Sequence, residues 1–494
     1  MSGEAVAVAH DHASGFLGLM RNRNYALLWS GQLVSEMGNR FHWVAVSLWV
    51  YALTQSAGAV SLAISSMFVG SLLVSLWAGA LVDRLNRKVI LVAADLARGA
   101  LVALIPTLIP ISLWLVYLDL VLISVATAFF RPAIFAIVPQ VVPRRDLMPA
   151  NSFFTAMDTG TEILGPILAG FLAQSYGYAP LLYLDSMTYF FSALCVVSMN
   201  LSQERRVPPG LDLRAVWGSV VEGLRYIRRD ELQRGLFVLI FPATLVGAGL
   251  NALQTPLAKG AVGITDAEFG TFQSVWGLGF VVASLLLGWY GGAFRKSRLI
   301  IAGYFLGFLA TGLMGFSAAY TALLLTAFAV GFANTLYYVG LGTVLMEYTP
   351  SELMGRVVST RQLALAVTRV SSPLIFGAVA EIAGIREAIY IMAAVGAVGT
   401  LTAVWRYPSV RQFDRDWQTS GPWLSALLKP FVEPVDPEFQ EAPQRWLNVL
   451  SLLVAALGWL IIAFANLMAA LALLVAAVGI GILGSRLKRY GWLR

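Results

Sequence analysis

The stretch Gly79-Ala80-Leu81-Val82-Asp83-Arg84-Leu85-Asn86-Arg87-Lys88 lies between two long apolar runs, and a weaker copy, Gly288-Trp289-Tyr290-Gly291-Gly292-Ala293-Phe294-Arg295-Lys296, follows about 209 residues later. An acid and three bases in so short a segment cannot sit in hydrocarbon, so the segment is a tight turn in water that joins the ends of two spans. Its recurrence at a long, fixed distance marks a duplicated chain.

Composition agrees with a bilayer solvent. Hydrophobic residues make up 58% of the 494 and charged residues 12%, and the mean hydropathy is +0.74, values that a water-soluble surface does not sustain. Cys195 is the single cysteine, which excludes an internal disulfide, and His10, His12 and His42 are too scattered for metal-ligand spacing. No metal and no cofactor are expected. The first twenty residues lack a basic start followed by an apolar core, so they are read as a cytoplasmic tail with no signal peptide.

Apolar windows long enough for a helix to cross a core of about 30 Å fall near 27–52, 58–82, 88–109, 112–136, 152–174 and 180–200, and again near 235–258, 269–291, 298–317, 319–345, 356–382 and 387–406. The expected organisation is a tail (1–26), a six-helix bundle (27–200), a cytoplasmic linker with an amphipathic helix (201–234), a second six-helix bundle (235–406) and a proline-rich linker (407–446). A transmembrane hairpin (447–485) broken at Asn466 and a basic tail (486–494) complete it. With the amino terminus inside, Arg40, Arg98, Arg131 and Arg369 fall within spans and Lys259 and Arg386 outside. The remaining bases are cytoplasmic, as the positive-inside rule requires, and both termini lie inside. The net charge of +7 then implies contact with anionic lipid of the bilayer, not nucleic acid.

Three unrelated motifs recur at nearly one offset. Besides the charged turn, Pro143-Arg-Arg-Asp146-Leu147-Met148 returns as Pro350-Ser-Glu352-Leu353-Met354-Gly355-Arg356, and Gly165-Pro166 with Gly170 returns as Ser372-Pro373 with Gly377. Six spans per copy is an even number, so the copies are parallel and related by an axis along the membrane normal. The fold class predicted is all-α integral membrane: two parallel six-helix bundles plus a C-terminal hairpin, about 14 transmembrane helices.

These motifs, with Arg23-Asn24-Tyr25 through Trp29, Gly31-Gln32 and Ser35, Phe130-Arg131-Pro132-Ala133 and Ala150-Asn151, resemble those of the major facilitator superfamily over about 20–406. Within it the chain is similar to the bacterial branch of enterobactin exporters and macrolide efflux pumps. The resemblance implies that Gly79, Asp83, Arg84, Arg87, Lys88 and Arg131 form a conformational latch that meets the amino-terminal end of span 11 near Ser351–Arg356. It also implies that Gly165, Pro166 and Gly170 form the helix-bending element typical of exporters. Asn86 stands where the family usually has glycine, and asparagine is the next most tolerant of a left-handed backbone.

Four ionisable residues at membrane depth are candidates for proton coupling. Glu36 and Arg40, four apart on span 1, share a face and can pair; Asp158 and Glu162 repeat the spacing on span 5 with two acids, so that one would hold its proton unless a base approaches. Asp95 and Arg98 are read as a structural pair, and Asp119 and Asp185 receive no role. Asn251, Gln254, Gln273, Trp276, Asn334, Tyr337 and Tyr338 are the candidates for a cavity of apolar walls with few polar groups, suited to amphipathic molecules. The function expected is a monomeric secondary transporter in the plasma (inner) membrane that exports a hydrophobic or amphipathic small molecule in exchange for protons. A lipid or lysophospholipid flippase on the same fold is the first alternative and a non-transporting scaffold or sensor the second. No nucleotide loop, nucleophile elbow or metal cluster suggests an enzyme.

Overall fold

The computed structural model describes residues 16–82, 85–200, 213–291 and 294–414. Asp83, Arg84, the expected hairpin 447–485 and both terminal tails therefore lie outside the described residues, apart from the helical turn Phe16–Met20 and the residues that follow it.

Thirteen helices longer than two turns follow one another, and no strand occurs among the described residues. In the first half these are α1 (Arg23–Thr54), α2 (Ala57–Val82), α3 (Arg87–Leu108), α4 (Leu113–Val141), α5 (Leu147–Tyr176) and α6 (Tyr178–Val197). A helix on the linker, α7 (Leu213–Arg229), precedes the second half: α8 (Glu231–Thr255), α9 (Asp266–Tyr290), α10 (Lys296–Gly315), α11 (Tyr320–Tyr348), α12 (Ser351–Ala383) and α13 (Ile385–Arg406). Ten of them are long and apolar enough to cross a membrane. The two remaining long helices, α1 and α5, run for 32 and 30 residues and are less apolar; they carry Glu36 with Arg40 and Asp158 with Glu162. Helices that satisfy their own backbone can accept such charges when neighbouring helices surround them, and α1 packs against both α5 and α6.

Local chemistry sets the helix ends. The Asn22 side chain accepts from the amides of Asn24 and Tyr25 and starts α1. Asn86 does the same for α3, accepting from Lys88 N and Val89 N at 3.0 and 3.3 Å with φ −64°. The expectation of a left-handed asparagine is thus corrected: position 86 is an N-cap, where a side-chain oxygen satisfies amides that glycine would leave bare. Gly177 (φ +81°) and Gly384 (φ +107°) make the turns from α5 to α6 and from α12 to α13, and they stand 207 residues apart (384 − 177), the offset of the Gly-Pro motif.

Packing follows the duplication. Within the first half α1 lies on α6, α2 on α4, and α3 on both α4 and α6; within the second, α9 and α10 lie on α11, and α8 on α12 and α13. The halves meet mainly where α5 packs on α9 and α2 packs on α12. Helix α7 docks on α12 and α8, burying Val220 and Ile227, with Thr360 donating to Val220 O and Arg356 paired with Glu222. The chain beyond α13 turns back, and Asp414 accepts from Ser297 N (2.9 Å) and Ser297 Oγ (2.7 Å) at the start of α10.

Candidate functional site

Two helix ends are closed from across the seam between the halves. At the start of α2, the Glu381 carboxylate of α12 accepts from Ser56 Oγ (2.6 Å) and Gly58 N (2.7 Å). At the start of α9, Gln174 Oε1 of α5 accepts from Ala267 N (3.0 Å). The acceptors are 207 residues apart (381 − 174) and the donors 209 (267 − 58), so each cap is the duplicate of the other. Unpaired amides at a helix amino terminus carry partial positive charge, which favours a carboxylate or amide oxygen there.

The same seam is lined by small residues. A Cβ on Gly170 would lie 2.9 Å from Gly270 Cα, a Cβ on Gly270 would meet Pro166 O, and one on Gly377 would meet Ser61. Gly165 serves a different contact, since the Arg40 side-chain stem of α1 crosses it. Further bonds join the halves at Ser65 Oγ to Val370 O (3.0 Å) and Tyr178 OH to Asp266 (3.0 Å), with Lys259 on Asp266 at 2.6 Å. The two caps, Gly170 with Gly270, and Tyr178 with Asp266 and Lys259 lie toward the ends of the helices remote from the Gly79–Lys88 turn. Toward that turn, Gly288 and Gly355 face open space.

Charges of both halves gather between these regions. Asp158 lies within electrostatic reach of Glu36, Arg40, Glu162 and Arg131, so three helices bring the proton-coupling candidates together around one carboxylate. Glu36 and Arg40 are not ion-paired with each other among the described residues, contrary to the expectation from their spacing; Arg40 folds instead over Gly165, and its buried Nε lacks a partner. The base that approaches Asp158 first is Arg131 and not Arg98. Arg98 is held by Asp95 and stacks on the rings of Phe130 and Tyr189. From the second half, Arg369 is within reach of Arg131 and Tyr338, and Arg361 within reach of Tyr304 and Tyr338. Arg361, expected among the cytoplasmic bases, lies instead on α12, ten residues past Ser351 (361 − 351), well inside a span.

The remaining candidates divide. Trp276, Asn334 and Tyr337 line one cavity with Tyr304, whose ring stacks on that of Tyr337 at 4.5 Å. At about 10 Å³ it holds no more than about one water, so these residues do not enclose a substrate chamber in this conformation. Among the described residues Gln254 bonds locally, to Asn251 O, Gln273 has a buried, unpartnered Nε2, and Tyr338 is 61% exposed. Of the latch candidates, Gly79 belongs to α2, Arg87 donates to Ala136 O of α4 (2.9 Å), and Lys88 donates to Val197 O and Met199 O at the end of α6 (both 2.7 Å). Their expected centre, Asp83, lies outside the described residues.

Comparison with known proteins supplies the remaining observations. The family model described as Major Facilitator Superfamily matches residues 28–260 and again 236–480. Macrolide efflux protein A of Streptococcus pyogenes is 25% identical over 347 residues, 67% of this chain and 83% of the relative. Multidrug resistance protein MdtG of Dickeya zeae is 24% identical over 365 residues, 73% of this chain and 85% of the relative. Among solved structures, the nucleoside transporter NupG superposes with a TM-score of 0.65 at 10% identity, over 78% of this chain and all of NupG. A bacterial homologue of the human lysosomal transporter Spinster, captured inward-facing and unoccupied, reaches 0.62 at 13% identity, over 81% of this chain and 99% of that one. Likenesses at such identities carry the fold alone.

Proposed function

Since this chain belongs to the Major Facilitator Superfamily, we propose that it is a proton-coupled exporter of hydrophobic or amphipathic small molecules that works by alternating access in the plasma membrane. The names of its relatives, macrolide efflux and multidrug resistance proteins, support export. The observation that carries alternating access is the duplicated pair of cross-seam caps, Glu381 on α2 and Gln174 on α9. Both join the halves toward one end only, and a transporter of two parallel halves needs such a closure that can be exchanged for one at the other end.

Under this proposal the Gly79–Lys88 turn faces the cytoplasm and makes the opposing closure, with Asp83 meeting the start of α12 when that end shuts. Glu36, Arg40, Asp158, Glu162 and Arg131 form the charged wall of the first half. Arg361 and Arg369 form that of the second, and the aromatic groups around Tyr338 give an amphipathic molecule its apolar contact. Proteoliposomes carrying an imposed pH gradient, tested against dyes, macrolides and lysolipids, examine this directly. Gradient-driven movement of a dye or macrolide is the expected outcome. Movement of lysolipid alone, indifferent to the gradient, would replace the exporter with a flippase.

A further inference from the structure

A second group of ionisable side chains lies inside the first half beside the charged centre, with Tyr189 within electrostatic reach of Asp185, Asp95 and Arg98 on one side and of Glu36 on the other. His42 on α1 places Nδ1 3.3 Å from Asp185 Oδ2 on α6. Asp119 on α4 lies within electrostatic reach of His42, and α3 adds Asp95 with Arg98. The burial is severe: Asp185 and Asp95 are 0% exposed, Arg98 2%, Asp119 3% and His42 8%. Asp119 Oδ2 and Asp95 Oδ2 are buried with no hydrogen-bond partner, and the contact with His42 is the only one approaching Asp185 Oδ2 among the described residues.

Charge counting shows what is missing. Asp95, Asp119 and Asp185 contribute −3 when ionised and Arg98 contributes +1, so the group carries −2 (−3 + 1) while His42 is neutral. A net double negative charge sealed among helices is prohibitive, since even one unpaired buried charge costs several kcal/mol. The surroundings do not supply the balance. Tyr189 on α6 donates its hydroxyl to Asn39, and Glu36 and Arg40 on α1, with Asp158 and Glu162 on α5, belong to the charged centre. No ionisable residue occurs in α2 between Ala57 and Val82, and those of α8 are Glu231 and Arg234 in its first turns. Arg131, elsewhere on α4, faces Asp158 and Arg369.

We propose that His42, Asp119 and Asp185 form an internal proton-binding site that holds protons while the water path to the charged centre is closed. The two protons that balance the charge are shared within the group; both come from water and return to water, and no other bond changes. The place in the fold suits a site that opens and shuts. Gly38, one turn before His42, lets α1 pass so close to α6 that a Cβ there would strike Thr188 Oγ1 and Asp185 Oδ1. A shift of α1 relative to α6 therefore separates His42 from Asp185, and α1 reaches the seam itself through Tyr51, which lies on Gly260 of the second half.

The inference rests on the proton-coupled reading above, and the test keeps the two apart. In the purified full chain in lipid, infrared spectra at neutral pH should contain a carboxylic-acid C=O band that weakens as pH rises and is absent from Asp119→Asn. In inverted vesicles, Asp119→Asn and His42→Gln should lower gradient-driven uptake by about tenfold or more, the effect of displacing a proton equilibrium by one pKa unit. Substrate-for-substrate exchange, which moves no proton, should be retained. Should Asp119→Asn fail to fold, the wild-type band and Asp185→Asn carry the same decision. A wild type without the band, a band unchanged in both variants, or a band removed by sodium ions at fixed pH each overturns the proton site. So does full gradient-driven uptake in both Asp119→Asn and His42→Gln. A wild type that keeps the Asp119 band but ignores the pH gradient overturns the exporter reading instead.

Discussion

At Gly38 the backbone of α1 passes directly over Thr188 and Asp185, whereas a Cβ added at Gly160 on α5 would meet nothing within 4 Å. The two glycines therefore answer the same substitution in opposite ways. Gly38→Ala should destabilise by about 1–3 kcal/mol, because the added methyl forces α1 off α6. Gly160→Ala should be neutral or stabilising by up to about 1 kcal/mol, because a helix-interior glycine is replaced by the best helix former without a clash. Thermal unfolding of the two variants in one detergent checks this, and equal midpoints would contradict it. Neither outcome is legible in sequence, where both are single glycines in apolar helices. Asp119 and Asp185 give no signal in sequence for a related reason: each is the one acid of its span, with no partner at helical spacing, and His42 is more than 70 residues away from both (119 − 42 = 77). Spacing finds pairs on one helix, such as Asp95 with Arg98; it is blind to pairs between helices.

Helix termini are the next scale, and here the duplication has a consequence. Glu381 and Gln174 occupy equivalent positions in the two copies and cap equivalent helices, but one is charged and the other neutral. Hydrogen bonds to a charged group contribute about 1.5–3 kcal/mol against about 0.5–1.5 for a neutral one, so the α2 cap is the stronger of the pair. Glu381→Ala should shift the population toward opening at this end by about tenfold or more, whereas Glu381→Gln, which keeps an acceptor oxygen, should shift it much less. Spin labels on Leu53 and Ile382, both exposed near this end, read the change as a longer distance population; identical distributions in wild type and Glu381→Ala would remove the cap from the closure. Asp414 poses the same problem on another helix. Its two bonds to Ser297 start α10, so Asp414→Ala should cost about 1–3 kcal/mol of stability, measured by thermal unfolding, while deletion of residues 440–494 leaves that cap in place and should cost less.

For the whole molecule, the proposed alternating access makes transport a balance between two closures, with the charged turn proposed as the counterpart of the caps at the far end. Asp83→Asn should slow transport severalfold or more, since a contact with a helix amino terminus is worth about 0.3–2 kcal/mol. Substrate affinity in the same variant, measured on the detergent-purified protein, should stay close to wild type because the charged centre is untouched. A variant that transports at the wild-type rate would remove Asp83 from the closure.

The chain's own order of residues determined its class, its helices and its duplication. Those depend on apolar run length, on cap residues and on constant offsets, and all three are local or periodic properties that backbone hydrogen bonding in a bilayer turns directly into structure. Helix bounds accordingly fall within a few residues of the apolar windows. Tertiary structure alone decided which charges meet. Glu36 and Arg40 share a helix face yet remain apart, because Gly165 on α5 offers the arginine stem a groove. Arg131 and Arg369 approach from opposite halves, and His42 and Asp185 meet where Gly38 allows two helices to touch. In a bilayer, a buried charge is governed by the helices packed around it, and that packing is a property of the assembled bundle that no single helix contains.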